Sequence, residues 1–171
     1  MKLTNFKLEI LSSNYYQLLF NYYKNNKDHL EPWEPTRADN YYTLDFHIDR
    51  TNDRIDLIKG KKSMHFILLN NAKSEIIGVC NYTDINDRGC WLGYSISKHC
   101  QGMGYMHDAL IHTNDYIFTK FQIRKINAGI INRNERSKKL ARRLSFKPTG
   151  NYNQLEINGN IEQLEIYVLN Y

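Results

Sequence analysis

At 171 residues and 20.3 kDa, the chain has enough interior for one core without a disulfide or metal staple. Its 42% hydrophobic and 24% charged residues exclude wholesale disorder and a fibrous repeat. A mean hydropathy of −0.62, with no apolar run near the roughly 18 residues of a bilayer span, excludes a membrane helix.

The pattern begins with a strand at Phe6–Leu11, read as an edge strand. Ser12 and Ser13 then cap a helix that carries Tyr16, Leu19, Phe20 and Tyr23 at three-and-four spacing. Two prolines in Leu30-Glu-Pro-Trp-Glu-Pro35 deny helix to their neighbours and hold Trp33 on a stiff turn. A second helix, Tyr42 to Lys59, is expected to turn Leu44, Ile48, Ile55 and Ile58 inward. Strands follow at Met64–Leu69, Ile76–Thr83 and Cys90–Ile96, joined by short Asn-, Asp- and Gly-containing turns that make them an antiparallel meander. Gly104 to Phe118 reads as a helix with Met106, Ala109, Leu110, Thr113 and Ile117 inward, and Lys125–Ile131 as a strand reached by a crossover. A helix at Asn134–Leu144 precedes two final strands, Phe146–Ile157 and Ile161–Leu169, joined by the hairpin signal Asn158-Gly159. The whole is an α+β chain with no repeat or linker, expected to form a single domain over residues 1–171.

Cys80, Cys90 and Cys100 match neither a metal knuckle nor a secreted disulfide framework, and the six histidines show no ligand spacing. Reduced thiols, no metal and a cytoplasmic location are expected, since no secretory leader opens the chain. The net charge of +5 is uneven. Nine cations between Arg124 and Lys147 face only Glu135, a stretch that suits cofactor phosphates or RNA, or simply a solvated helix face.

The segment Trp91 to Leu110 carries the chemistry. It reads as strand, Gly-containing loop and helix, where Gly102 and Gly104 let backbone amides at a helix N-terminus approach a diphosphate. A dinucleotide fingerprint is a poor match because His107 stands where its third glycine would, and no Gly-Lys-Ser/Thr of a Walker loop follows. His107 and Asp108, adjacent on the helix, are expected to point apart.

Gln101-Gly-Met-Gly104-Tyr-Met106 resembles the pyrophosphate signature of the GNAT superfamily of CoA-dependent N-acetyltransferases. His29-Leu-Glu-Pro-Trp-Glu-Pro35, Glu75-Ile-Ile-Gly-Val79, Leu92-Gly-Tyr-Ser-Ile96, Asp108-Ala-Leu110, Asn134-x-x-Ser137 and Leu144-x-Phe146 extend the resemblance end to end. Together they are similar to the RimJ/RimL group, which acetylates N-terminal amines of ribosomal proteins, and especially to its RimJ members. The resemblance implies a GNAT acyl-CoA N-acyltransferase fold, a mixed, mostly antiparallel sheet of about seven strands flanked by helices.

It further implies acetyl-CoA as donor, bound by Tyr94, Ser95, Ile96, Gln101, Gly102, Met103, Gly104, Tyr105, Met106 and Asn134. The strand ending Tyr94-Ser95-Ile96 should splay from its neighbour and leave backbone groups for the pantetheine arm. Asn134 and Ser137 fall at positions of catalytic weight, Ser137 as proton donor to the departing thiolate or, on a bland reading, as a helix cap. The tyrosine acid of many members is Ala141 here, and Ser145 replaces a glycine that would take a left-handed cap. Glu31, Trp33 and Glu34 are implied as acceptor contacts, or Trp33 as a core anchor. The base is not identified, with water relays from a carbonyl or Glu34 as options. The implied acceptor is a protein N-terminus, with a small amine (a polyamine, an aminoglycoside or an aminoacyl nucleotide) as the alternative. Ribosome association and a non-catalytic RNA-binding role are carried as further readings, and the surface permits a monomer or a homodimer.

Overall fold

The computed structural model describes residues 2, 3 and 5–171, with side chains from Asn5 onward. Alternating apolar residues build strands β1 (Lys2–Leu3), β2 (Phe6–Ile10), β3 (Met64–Leu69), β4 (Ile76–Asn86), β5 (Gly89–Ile96), β6 (Lys125–Ile131), β7 (Lys147–Ile157) and β8 (Asn160–Asn170). These form one sheet in the order β1-β2-β3-β4-β5-β6-β8-β7. Every neighbouring pair is antiparallel except β5 and β6. The α+β architecture matches expectation, with one strand more than the expected seven. That strand is β1, which pairs outside β2 (Leu3↔Phe6), so β2 is not the edge.

Among the described residues, five helices flank the sheet: α1 (Tyr16–Asn25), α2 (Lys27–Leu30), α3 (Leu44–Lys59), α4 (Tyr105–Phe121) and α5 (Glu135–Arg143). None is long and apolar enough to cross a membrane. All of β3 is buried, because both faces are covered. Met64, Phe66 and Leu68 join Met106, Ala109, Leu110 and Ile117 of α4 in one core, whereas Ile67 and Leu69 join Leu19, Tyr22, Tyr23 and Tyr41 in a second. The Tyr82 hydroxyl, fully buried, bonds Thr113 Oγ1 and Asn114 Oδ1, each at 2.7 Å, so the sheet and α4 are tied without an orphaned polar group. The expected inward face of α4 is the observed one.

Two local expectations fail. Ser12 and Ser13 cap nothing through their side chains, since a single tight turn at Ser13–Tyr15 leads into α1. The α3 face that is buried is His47, Thr51 and Arg54, while Leu44, Ile48, Ile55 and Ile58 stay half-buried. The helix is therefore rolled so that a polar stripe faces the molecule. Thr43, not an apolar residue, fixes its start by accepting from the Phe46 amide at 3.3 Å.

Gly89 follows the β4–β5 turn at φ +127°, where a Cβ would stand 2.3 Å from the Lys125 carbonyl oxygen. That close approach brings β5 alongside β6. Asn158 and Gly159 both have positive φ (50° and 79°), the two-residue turn that their sequence requires. Ser145, past the end of α5, sits at φ 67°, a conformation that opposes a side chain by about 1 kcal/mol. Ser145→Gly is expected to raise stability by about 0.5–1 kcal/mol, read as a higher urea midpoint at unchanged m-value.

Candidate active site

Strands β5 and β6 pair only at Cys90↔Ile126 and Trp91↔Asn127 and then part company. What draws them apart is visible in their other partners. Tyr22 of α1 bonds Ser95 Oγ (2.8 Å), His29 of α2 donates to the Ile96 carbonyl (3.2 Å), and Asn26 bonds Ser97 Oγ (3.2 Å) and the Lys98 amide (3.0 Å). On the other side β6 is held to β8 along its whole length. The expected splay is thus present, and it opens after Trp91 rather than at Tyr94.

A cavity of about 280 Å³ fills the gap. Leu92, Tyr94, Ala128 and Ile130 contribute to its wall from the sheet, facing the side that carries α4 and α5. Tyr23, Arg37, Arg50 and Arg54 line it from the opposite side, where α1 and α3 lie. Gly93, with nothing within 4 Å of an added Cβ, leaves the passage between the two clear. The gap is therefore a window through the sheet.

On the α5 side, Asn134 Oδ1 accepts from the Ser137 amide at 3.1 Å and so caps the helix. The capping alternative for Ser137 is thereby excluded, because its hydroxyl instead meets the Tyr94 hydroxyl at 2.6 Å. Burial pushes the Tyr94 phenol up to about 12, the Ser137 hydrogen bond opposing the shift, so it is protonated at neutral pH. Ala141 is buried and offers no acid.

The loop before α4 has Gly102 at φ 77° and Gly104 at φ 81°, with open space above both. Helix α4 starts at Tyr105, so its first-turn amides lack intrahelical partners. Gln101 is not free: Arg136 donates to its Oε1 at 2.6 Å, which places a cation from α5 beside the loop. The basic stretch is otherwise divided among separate tasks. Lys138 points inward to Glu165 (3.4 Å), and Arg142 reaches Tyr167 (3.4 Å). Met103 is exposed and Met106 is core, packing its sulfur 3.6 Å from Cys80. Cys80, Cys90 and Cys100 are buried free thiols.

In the loop after α2, Trp33 is 36% exposed and lies under the Arg133 guanidinium (4.6 Å to the ring), itself paired with Glu162 at 2.7 Å. It is a rim residue, not a core anchor. Glu34 lines the cavity but is bound by Arg37 at 2.6 Å, and Glu31 does not line it. Glu162 and Glu165 are likewise engaged elsewhere. His107 and Asp108 do meet (3.1 Å), contrary to expectation, on the first turn of α4. Arg50 and Arg54 were missed from sequence, although His47, Arg50, Thr51 and Arg54 recur at helical spacing.

An acetyltransferase (GNAT) domain model matches residues 10–147. The [ribosomal protein uS5]-alanine N-acetyltransferase of Escherichia coli is 33% identical over 135 residues, 77% of this chain and 70% of that protein. The crystal structure of the ribosomal-protein-S5-alanine acetyltransferase from Vibrio fischeri superposes with a TM-score of 0.94 at 27% identity, covering 99% of this chain and 95% of that one. Mycobacterium smegmatis RimJ, solved with a CoA disulfide, shares the fold (TM-score 0.87, 18% identity, 97% and 85% covered). The split sheet, the glycine loop at the start of α4 and these matches converge: the chain belongs to the GNAT acetyltransferase family and is an acetyl-CoA-dependent N-acetyltransferase.

Proposed function

We propose that the acceptor is the N-terminal α-amine of a protein, with a ribosomal protein as the best-supported class, and that the enzyme works in the cytoplasm. The observation that carries this reading is the charge of the acceptor side. Three guanidiniums, Arg37, Arg50 and Arg54, line the cavity against one carboxylate, Glu34. A polyamine would meet net positive charge there, so the small polycation alternative is disfavoured. The kinship with the uS5-alanine enzyme supports a peptide instead.

The residues fit acetyl-CoA. In this reading the amides from Gly102 to Met106 hold the pyrophosphate, the positive-φ glycines leaving the backbone bare, and Arg136 adds a cation to Gln101 at the same loop. The edge of Leu92–Ile96 that faces away from β4 and has no β6 partner takes the pantetheine arm as an added strand, with Asn134 beside it on the cavity wall. Acetyl-CoA supplies the activated thioester. A backbone amide of the open β5 edge donates to the carbonyl oxygen as it gains charge. The amine, with an ordinary pKa of about 7.7–8.0, is partly neutral near pH 7 and attacks the carbonyl carbon directly. Its proton leaves to Glu34, the one carboxylate on the cavity wall, or to water. Ser137 gives its hydroxyl proton to the departing sulfur and regains one from water in the cavity, the Tyr94 hydroxyl holding it in place. The products are the N-acetyl amide and free CoA thiol.

Release of CoA thiol is the measurement, over a panel of N-terminal peptides and polyamines, with Gly104→Glu as the cofactor-site variant. Peptide-dependent turnover that Gly104→Glu abolishes is the expected result. Turnover confined to polyamines would reject the N-terminal reading.

A further inference from the structure

Arg54 is 9% exposed, yet none of the ion pairs among the described residues includes it or Arg50. A buried guanidinium without an acid forfeits its hydration and gains no Coulomb partner, an arrangement that costs stability unless something else supplies the charge. Nearby protein groups do not. Glu34 is committed to Arg37, and the neighbouring His47, His65 and Tyr41 carry no negative charge at neutral pH. Arg50, one helical turn before Arg54, is held over the rings of Tyr41 (5.3 Å), Tyr23 (5.9 Å) and Phe46 (6.0 Å) and donates to the Tyr41 hydroxyl at 2.9 Å. Both arginines line the cavity on the acceptor side of the sheet window. A fixed cation in an aromatic frame and a second, buried beside Tyr23 without a carboxylate partner, describe a prepared anion seat.

We propose that Arg50 and Arg54 form a subsite for a carboxylate of the acceptor, so that the preferred peptide bears an acidic side chain among the residues that follow the acetylated α-amine. This rests on the N-terminal reading above and deepens it. The two-faced construction explains how an anionic acceptor can coexist with an anionic donor. The pyrophosphate loop lies at the start of α4, on one face of the sheet, and the arginine pair lies under α3, on the other, so each anion has its own cations.

Paired peptides that differ only by Glu or Gln at each of the positions two to five test the proposal. They are assayed for KM and kcat with the wild-type enzyme, Arg50→Gln, Arg54→Gln and Arg54→Lys. The wild type should favour the Glu peptide at one of these positions by at least about tenfold in KM, the weight of a charge-assisted contact away from bulk water. In Arg50→Gln and Arg54→Gln that preference should collapse toward unity, with Arg54→Lys recovering part of it. Arg50→Gln, at a half-buried position, serves if Arg54→Gln does not fold. Equal use of Glu and Gln peptides by the wild type, or a preference that survives both Gln variants, would overturn the subsite. Calorimetric titration of succinate and of inorganic phosphate into the wild type and Arg50→Gln reads the seat without any peptide. If no peptide is turned over but succinate or phosphate binds in an Arg50-dependent way, the N-terminal reading fails and the anion seat stands with a small amino acid or amino phosphate as its ligand. Absence of both fails the seat itself.

Discussion

Replacing Ser137 by alanine should lower kcat by about 100-fold or more while moving the KM for acetyl-CoA by less than about threefold, the signature of a proton donor that acts only as the carbon–sulfur bond breaks. The geometry behind this is specific. The Ser137 amide is satisfied by Asn134, so its hydroxyl is released from helix capping, and the Tyr94 hydroxyl stands 2.6 Å away. Because the Tyr94 phenol stays protonated, it can donate to Ser137 Oγ and turn the serine hydrogen toward the cavity. Tyr94→Phe removes that orientation but leaves the serine, and a loss of about tenfold in kcat is expected. Single-turnover thiol release separates these effects from product dissociation. If Ser137→Ala retains wild-type kcat, proton delivery runs through water and the serine is a packing residue. If Tyr94→Phe is as damaging as Ser137→Ala, the tyrosine is the donor.

How far the sequence announced this arrangement differs by element. The strands and the β7–β8 hairpin were legible because alternation and an Asn-Gly turn are local signals, settled within a few residues. The glycine loop was legible for a similar reason: positive φ at Gly102 and Gly104 is a backbone demand that the residue type itself declares. Helix α3 was not. Its apolar positions suggested one inward face, whereas the folded chain buries His47, Thr51 and Arg54, because what lies beneath α3 is in part the wall of a polar cavity rather than a core. Periodicity reports which residues avoid water, and a polar stripe buried in part against a polar cavity breaks that rule. The Tyr94–Ser137 contact joins positions 43 residues apart and exists only because β5 and α5 meet at the sheet window, information that neither segment holds alone.

The same polar stripe has a cost that appears as acid sensitivity. His47 is fully buried with both ring nitrogens unpartnered, stacked on Tyr23 (5.1 Å between centroids), and burial with Arg50 and Arg54 nearby lowers its pKa to about 4. His65, buried on β3, has Nδ1 at 2.8 Å from Asn81 and Nε2 unpartnered, and burial together with Arg54 lowers it to about 3. Both folded-state values lie below the unfolded value near 6.5, so the unfolded chain binds the protons more readily. Their contribution is intact above about pH 6.5 and is lost as pH falls from there toward 4 and then 3, by about 1.4 kcal/mol per unit for each ring. At pH 5 the two together should cost about 4 kcal/mol relative to pH 8, a large part of a small domain's stability. Denaturant titrations across this range should show the fall, with unfolding taking up close to two protons at pH 5. The depressed carboxyl of Glu9, whose shift comes chiefly from Lys73 and Tyr15, acts below about pH 4.5 and does not enter the window. His47→Phe, which suits the surrounding rings of Phe20, Tyr23, Tyr41 and Phe46, should remove about half of the slope. A stability flat from pH 8 to 5 would mean that water or a rearrangement lets these rings ionise in place. An acidic acceptor on Arg50 and Arg54 would partly offset the same cationic field and raise the folded-state pKa of both rings, so a bound peptide should end the fall at a higher pH and make its total smaller.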